Sequence, residues 1–233
     1  MSHQHPIRVF SALAIRAPFI ELEAEWGRQH PEKALAIEWN PTTVIEKKIA
    51  SGEQADAVIL TVPVMDRLIA EGLIDPASRV ELVDSQVGLA MLPDAEAPDI
   101  SSVEALTAAL LHARSVAITL GGASGIYFLT LLEKLGIKEQ IMARATTIPE
   151  GFTASQLTAG NADIAVQQIS ELLMVEGIKV IGPLPEAVQK VTSFSGGIFR
   201  QAVDPEGAAL LLQSLRSEQA RSAFEAFGLQ WRV

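Results

Sequence analysis

The sequence predicts an α/β fold of two lobes. Short apolar runs alternate with amphipathic stretches about every 20–25 residues, which is the rhythm of strand–helix units. The rhythm restarts once, near residue 83, giving two cycles of similar size with a ligand cleft between them. Several of the strand runs are apolar almost throughout, as strands are when helices cover both faces of a parallel sheet.

In chain order, "IRVFSAL" reads as a buried strand. "APFIELEAEWGRQH" follows as a helix with Phe19, Leu22 and Trp26 on one side. "LAIEWN" is a second strand, and "TTVIEKKIASG" a helix with Val44, Ile45 and Ile49 inward and Gly52 at its end. "ADAVILTV" is a third strand, and "MDRLIAEGLI" a short helix closed by Gly72. "VELVDSQVGLAML" returns to strand before the Pro- and Asp-rich loop "PDAEAPDISS". The second cycle runs from the helix "SVEALTAALLHA" to the strand "SVAITL", the turn "GGASG" and the helix "IYFLTLLEKLG". "QIMARATTI" and "ADIAVQQIS" flank a further helix, "FTASQLTAG". "KVIGPLP" and "KVTSFSGGIF" are strands, and "PEGAALLLQSLRSEQARSAFEAFG" supplies two closing helices.

Composition narrows the function. The 233 residues are 48% hydrophobic and 20% charged, a globular balance. A net charge of −10 disfavours nucleic acid, which needs a basic face, but leaves room for a small anion in a locally positive pocket. The absence of cysteine removes disulfides, thiolate nucleophiles and Cys-based metal sites. His3 and His5 lie in the N-terminal tail, His112 near a helix end and His30 at a helix C-terminus; no pair has metal-ligand spacing, so no metal or other cofactor is expected. "GGASG" lacks the lysine of a P-loop, and no Gly-x-Ser-x-Gly elbow occurs. The N-terminus has no signal-peptide pattern and no apolar run approaches a membrane span, so the chain as written is expected to be cytoplasmic, or periplasmic if a leader precedes it.

Ligands of open α/β sheets sit beyond the carboxyl ends of the strands. The polar residues falling there are Ser11, Arg16, Thr42, Thr43, Ser124, Glu150, Gln167, Gln168, Ser193 and Ser195. Hydroxyls, amides and helix N-termini are what an oxyanion requires. Each also has a plainer reading: Ser11, Thr42, Thr43 and Ser124 suit N-caps, Gln167 and Gln168 suit strand-end pairing, and Arg16 suits a solvated helix face.

The pieces "RVFSALAIRAPFIELEAEW", "TTVIEKKIASGEQADAVIL", "GASGIYFLTLLEKLGI" and "LTAGNADIAV" resemble the periplasmic molybdate-binding protein family over nearly the whole chain. The resemblance implies a type II periplasmic-binding-protein fold. Its lobe I would be residues 1–82 and 194–233, and its lobe II residues 83–193. It also implies a ligand set. Ala14 stands where the family has its first serine, and Thr42 or Thr43 keeps the second hydroxyl. Ser124 and Phe152 offer backbone N–H donors, and Gln168, or Gln167 one residue earlier, takes the tyrosine position. Arg16 is an addition to this set. Its planar fork suits a carboxylate more than a compact tetrahedral dianion, so the ligand is expected to be a di- or tricarboxylate, with an oxyanion as the alternative.

Aconitate isomerase is similar to this family, which implies a second use of the fold: a 1,3-proton shift across a double bond beside a carboxylate. Such chemistry needs a proton carrier, for which Glu150 and Tyr127 are the candidates, and donors for dienolate charge. The alternative is a solute receptor, whose partner would be an ABC importer. No nucleic acid or inserted membrane is expected in either case.

Overall fold

The computed structural model describes residues 5–232, so His3 lies outside the described residues. The chain divides into two compact units. Unit 1 takes the described residues up to Asp84 and again from Thr192, and unit 2 is Ser85–Val191.

In unit 1, β1 (Ile7–Ala12) leads into α1 (Arg16–Gln29), β2 (Leu35–Asn40) into α2 (Thr42–Ala50), and β3 (Ala57–Thr61) into α3 (Val62–Ala70). The chain leaves through β4 (Val80–Met91). In unit 2 it forms α4 (Val103–His112), β5 (Val116–Thr119), α5 (Ala123–Lys134), α6 (Lys138–Met142) and β6 (Thr146–Ile148). After these come α7 (Ser155–Thr158), β7 (Ile164–Gln168), α8 (Ile169–Leu172) and β8 (Lys179–Pro183). β9 (Val191–Ile198) carries the chain back to unit 1, where α9 (Pro205–Ser214), α10 (Glu218–Ala226) and β10 (Gln230–Trp231) complete it.

The strand order is β2-β1-β3-β9-β4 in unit 1, with β10 also on β4, and β4-β7-β5-β6 in unit 2, with β8 also on β4. β1 is parallel to β2 and β3, and β5 to β6 and β7, as expected. The sheets are nevertheless mixed. β9 runs antiparallel to β3, and β4 antiparallel to β7, β8 and β10. Strands that leave and re-enter a unit need no right-handed crossover within it, so the βαβ rule does not bind them.

Period-two alternation explains the packing. On β1 and β3, Ile7, Val9, Ala57 and Ile59 join Phe19, Trp26, Leu211 and Phe224 on one face. Phe10, Val58 and Leu60 join Ile45, Met65 and Leu68 on the other. In unit 2, Val87, Leu89, Val116, Ile118, Ile164 and Val166 meet Leu106, Phe128 and Leu132. The opposite face is lined by small residues, Ala90, Ala117 and Ala165, against Ala154, Leu157 and Leu172. Their size lets the one-turn helices α7 and α8 sit close to the sheet.

Several element bounds differ from expectation. α3 starts at Val62 rather than near Met65, because Pro63 fits a first helical turn where its missing N–H is no loss. "FTASQLTAG" yields only the single turn α7, and the strand in "QIMARATTI" only Thr146–Ile148, since its first residues belong to α6. Asp56 ties unit 1 together. Its carboxylate accepts from the backbone N–H groups of Arg8 at 2.8 Å, Val203 at 2.7 Å and Asp204 at 2.9 Å.

Candidate functional site

The parallel registers bring the expected residues to one edge of each unit's sheet. In unit 1, Ser11 pairs with Trp39 and Ala12 with Asn40, so α1 and α2 start at the same edge. In unit 2, Ile118 pairs with Val166 and with Thr147, so the segments after β5, β6 and β7 do likewise.

The helices beginning at these edges are not capped by side chains. Pro41 occupies the N-cap of α2 and Gly122 that of α5, and neither supplies a cap bond. Ser11, Thr42, Thr43 and Ser124 are therefore not N-caps, which corrects their plainer reading. By contrast Ser102, Asp204 and Ser217 do cap α4, α9 and α10 through their side chains. Where a ligand is to meet the backbone, a capping side chain would occupy the donors it needs.

In unit 1, Ser11 is fully buried and its Oγ has no hydrogen-bond partner among the described residues. Ala14, three residues further on, is buried, Arg16 is exposed at the first position of α1, and Thr42 and Thr43 are half-buried at the start of α2. Ser193 and Ser195 do not sit at a strand end but within β9, and Ser195 pairs with Leu60.

In unit 2, Ser124 is buried in the first turn of α5. The turn before it is tight for a steric reason. A Cβ on Gly125 would lie 1.7 Å from the Thr119 carbonyl oxygen, so only glycine lets the helix start this close to β5. Thr119 is buried, and its Oγ1 has no partner among the described residues. Tyr127 donates its phenol hydrogen to the Val188 carbonyl at 2.7 Å, and burial raises its pKa above the usual value of 10.0. Glu150 is exposed just before Gly151, whose φ of +97° makes the bend into Phe152.

The glutamines are engaged from within. Gln167 Oε1 accepts from Thr153 N at 2.8 Å and from Thr153 Oγ1 at 3.0 Å, and its Nε2 donates to the Gly151 carbonyl at 2.8 Å. An N–H can only donate and a carbonyl only accept, so the orientation of this amide is unambiguous. Gln168 Oε1 accepts from Ser85 Oγ at 2.8 Å.

Sequence reasoning missed the acid beneath them. Glu171, in the first turn of α8, is only 9% exposed. Its carboxyl accepts from the Gln167 side chain and from the Gln168 backbone N–H, but burial outweighs both and pushes its pKa from 4.5 up to about 8. The contact with the Gln168 N–H is one half of a capping box, an acid at the third helical position reaching back to the N-cap. The Gln-x-x-Glu spacing was visible in the sequence; the burial was not.

No three His, Asp or Glu side chains among the described residues could hold a metal ion together. No helix among them is long and apolar enough to cross a membrane.

Residues 7–230 match the family of bacterial extracellular solute-binding proteins. The chain belongs to this family. An aconitate isomerase from Pseudomonas sp. is 36% identical over 187 residues, which are 80% of this chain and 71% of that protein. Among solved structures, the periplasmic molybdate-binding protein of Azotobacter vinelandii superposes with a TM-score of 0.79 at 16% identity, covering 97% of this chain and 99% of that one. The sulfate-binding protein SubI of Mycobacterium tuberculosis gives 0.69 at 12% identity, covering 97% and 86%. The fold is thus that of the two-lobed periplasmic binding proteins, as the sequence predicted, and the aconitate isomerase kinship anticipated there is present.

Proposed function

We propose that this member of the family binds a small di- or tricarboxylate and isomerises it by an allylic 1,3-proton shift. The observation that carries the proposal is the 36% identity to an aconitate isomerase across 80% of the chain. The residue chemistry is consistent with it. Arg16 would clamp one carboxylate through its planar fork. Ser11, Thr42 and Thr43 of unit 1 and Ser124 and the Phe152 backbone of unit 2 would supply neutral donors, Gln168 would add its amide, and Gln167 ties the 151–153 segment.

In the reaction, a base removes a proton from the allylic carbon and its electron pair moves into a dienolate spread toward the carboxylate. The same proton, or one from the conjugate acid, then returns at the far end of the system as the double bond shifts. No oxidant or leaving group is involved. Tyr127 is a poor base because it is protonated and committed to Val188. The role is therefore given to Glu150, exposed at the bend before the donor segment.

The test is to incubate the protein with cis- and trans-aconitate in D2O, without added metal or nucleotide, and follow both by proton NMR. Interconversion with deuterium incorporation is the expected result. The second reading, a receptor delivering a solute to an ABC importer, is favoured by the family match itself. Tight binding of molybdate, sulfate or a carboxylate with no exchange would establish that reading and refute the isomerase.

A further inference from the structure

Glu171 plays no part in the proposed proton transfer, yet it is the most deeply buried acid in unit 2, and its surroundings are specific. The Gln167 amide has four hydrogen-bonding positions. Thr153 N–H and Oγ1 take the oxygen, the Gly151 carbonyl takes one amide hydrogen, and the second goes to Glu171. Gln167 is thereby saturated, and it grips both sides of Phe152. Of these bonds, the contact with Glu171 is the one tie on the amide from outside the 151–153 turn. We propose that Glu171 is a positioning residue: its buried carboxyl fixes the Gln167 amide, and the amide fixes the Gly151–Thr153 backbone in its anion-binding shape.

The neutral state matters because an ionised carboxylate behind an anion's donors would oppose the ligand. Among the described residues no charged group offsets such a charge, and only the hydrogen bonds from Gln167 and the Gln168 N–H favour it. α8 packs against β7 and β8. β7 bears no titratable side chain, β8 bears only Lys179, which is exposed, and the turn held by Gln167 bears only the exposed Glu150. No charged group contributes to the raised pKa of Glu171, which follows from burial against two hydrogen bonds. The capping-box contact explains why an acid or amide stands here, since Gln serves that motif as well as Glu. It does not explain the tie to Gln167.

This inference rests on the reading of Phe152 as an anion donor, so the test has one arm with ligand and one without. Amide hydrogen exchange of residues 151–154 is measured at pH 6 to 9.5 in the wild type, Glu171→Gln and Glu171→Ala. Titration with trans-aconitate follows over the same range. The expected wild type shows protected 151–154 amides and tight binding below pH 8. Above pH 8 the affinity falls by up to about tenfold per pH unit, the limit for one linked proton. Glu171→Gln should remain protected, bind within about threefold of wild type at pH 7, and lose the alkaline decline. Glu171→Ala should lose protection at 151–154 and at least about tenfold in affinity.

If Glu171→Ala fails to fold, the wild-type pH profile and Glu171→Gln still decide. Wild-type affinity and exchange that are flat to pH 9.5, after correction for intrinsic exchange, overturn the proposal. So does an alkaline decline that persists in Glu171→Gln. Protection at 151–154 that follows Glu171 while trans-aconitate does not bind supports the positioning role and refutes the polycarboxylate reading instead.

Discussion

The raised pKa of Glu171 is also a statement about stability. In the folded chain the carboxyl titrates at about 8, against an ordinary value of 4.5. Between those values the folded state keeps a proton that the unfolded chain has released. Stability therefore falls as pH rises through this window, by about 1.4 kcal/mol for each pH unit, and levels off above the folded pKa. The penalty is on the order of 3 kcal/mol at pH 7 and about 5 kcal/mol above pH 8.

Glu171→Gln keeps the acceptor oxygen and removes the titration. Its advantage over wild type should therefore grow by about 3 kcal/mol between pH 6 and pH 9. Comparing the two proteins at each pH cancels every other titrating group. Urea unfolding followed by circular dichroism is the suitable assay. The three tryptophans (Trp26, Trp39 and Trp231) all belong to unit 1, so their fluorescence would miss events in unit 2, where Glu171 lies. Curves of stability against pH that run parallel for the two proteins, within about 1 kcal/mol, would refute the assignment of Glu171 as a protonated buried acid.

Asp56→Ala should destabilise unit 1 by about 3 kcal/mol or more, because three backbone N–H groups lose their acceptor at once; tryptophan fluorescence in urea reads this directly. Arg16→Lys should weaken trans-aconitate binding by about 1–3 kcal/mol in calorimetry, since an ammonium cannot reproduce the bidentate fork. Glu150→Gln should lower turnover by about 10²–10⁴-fold with binding nearly retained, whereas Tyr127→Phe should cost about 1 kcal/mol of stability and leave turnover unchanged. The opposite pattern in that pair would move the proton carrier from Glu150 to Tyr127.

The fold was legible because its signals are local and repeated. The all-apolar runs became strands buried on both faces, and Gly52 and Gly72, with φ of +87° and +74°, stand just past the helices they were expected to close. Strand direction was not legible for β4 and β9, because an antiparallel strand that leaves its unit has the same composition as a parallel one. Where the candidate residues fall in the fold was legible in part, since Ser193 and Ser195 lie within β9 rather than at a strand end. Gln167 was rightly located at the end of β7, but its engagement with Gly151 and Thr153 depends on a turn 14 to 16 residues earlier in the chain. Glu171 sits in "SELLMVEG", where an acid in a first helical turn reads as a solvated dipole partner. Its burial comes with the packing of α8 against β7 and β8, which the local sequence does not show.

That burial separates structural from functional explanations of unit 2. A capping box needs no acid out of contact with water, and exposed Glu or Gln serves it equally. A core position needs no acid at all, since a leucine there would carry no ionisation penalty on the order of 3 kcal/mol at pH 7. What Glu171 touches is Gln167, and what Gln167 holds is the 151–153 turn, whose glycine at φ +97° gives it freedom to move. A receptor that only captures an anion tolerates some play in such a turn, because the ligand itself can order it. An enzyme that must shift a proton between two carbons does not, since misplacement of about 1 Å can cost 10²-fold in rate. A clamp on residues 151–153 is therefore what the proposed isomerisation requires and what capture alone does not. Relaxing it in Glu171→Ala should accordingly lower turnover by a larger factor than it lowers affinity; an equal loss in both would return the balance to the receptor.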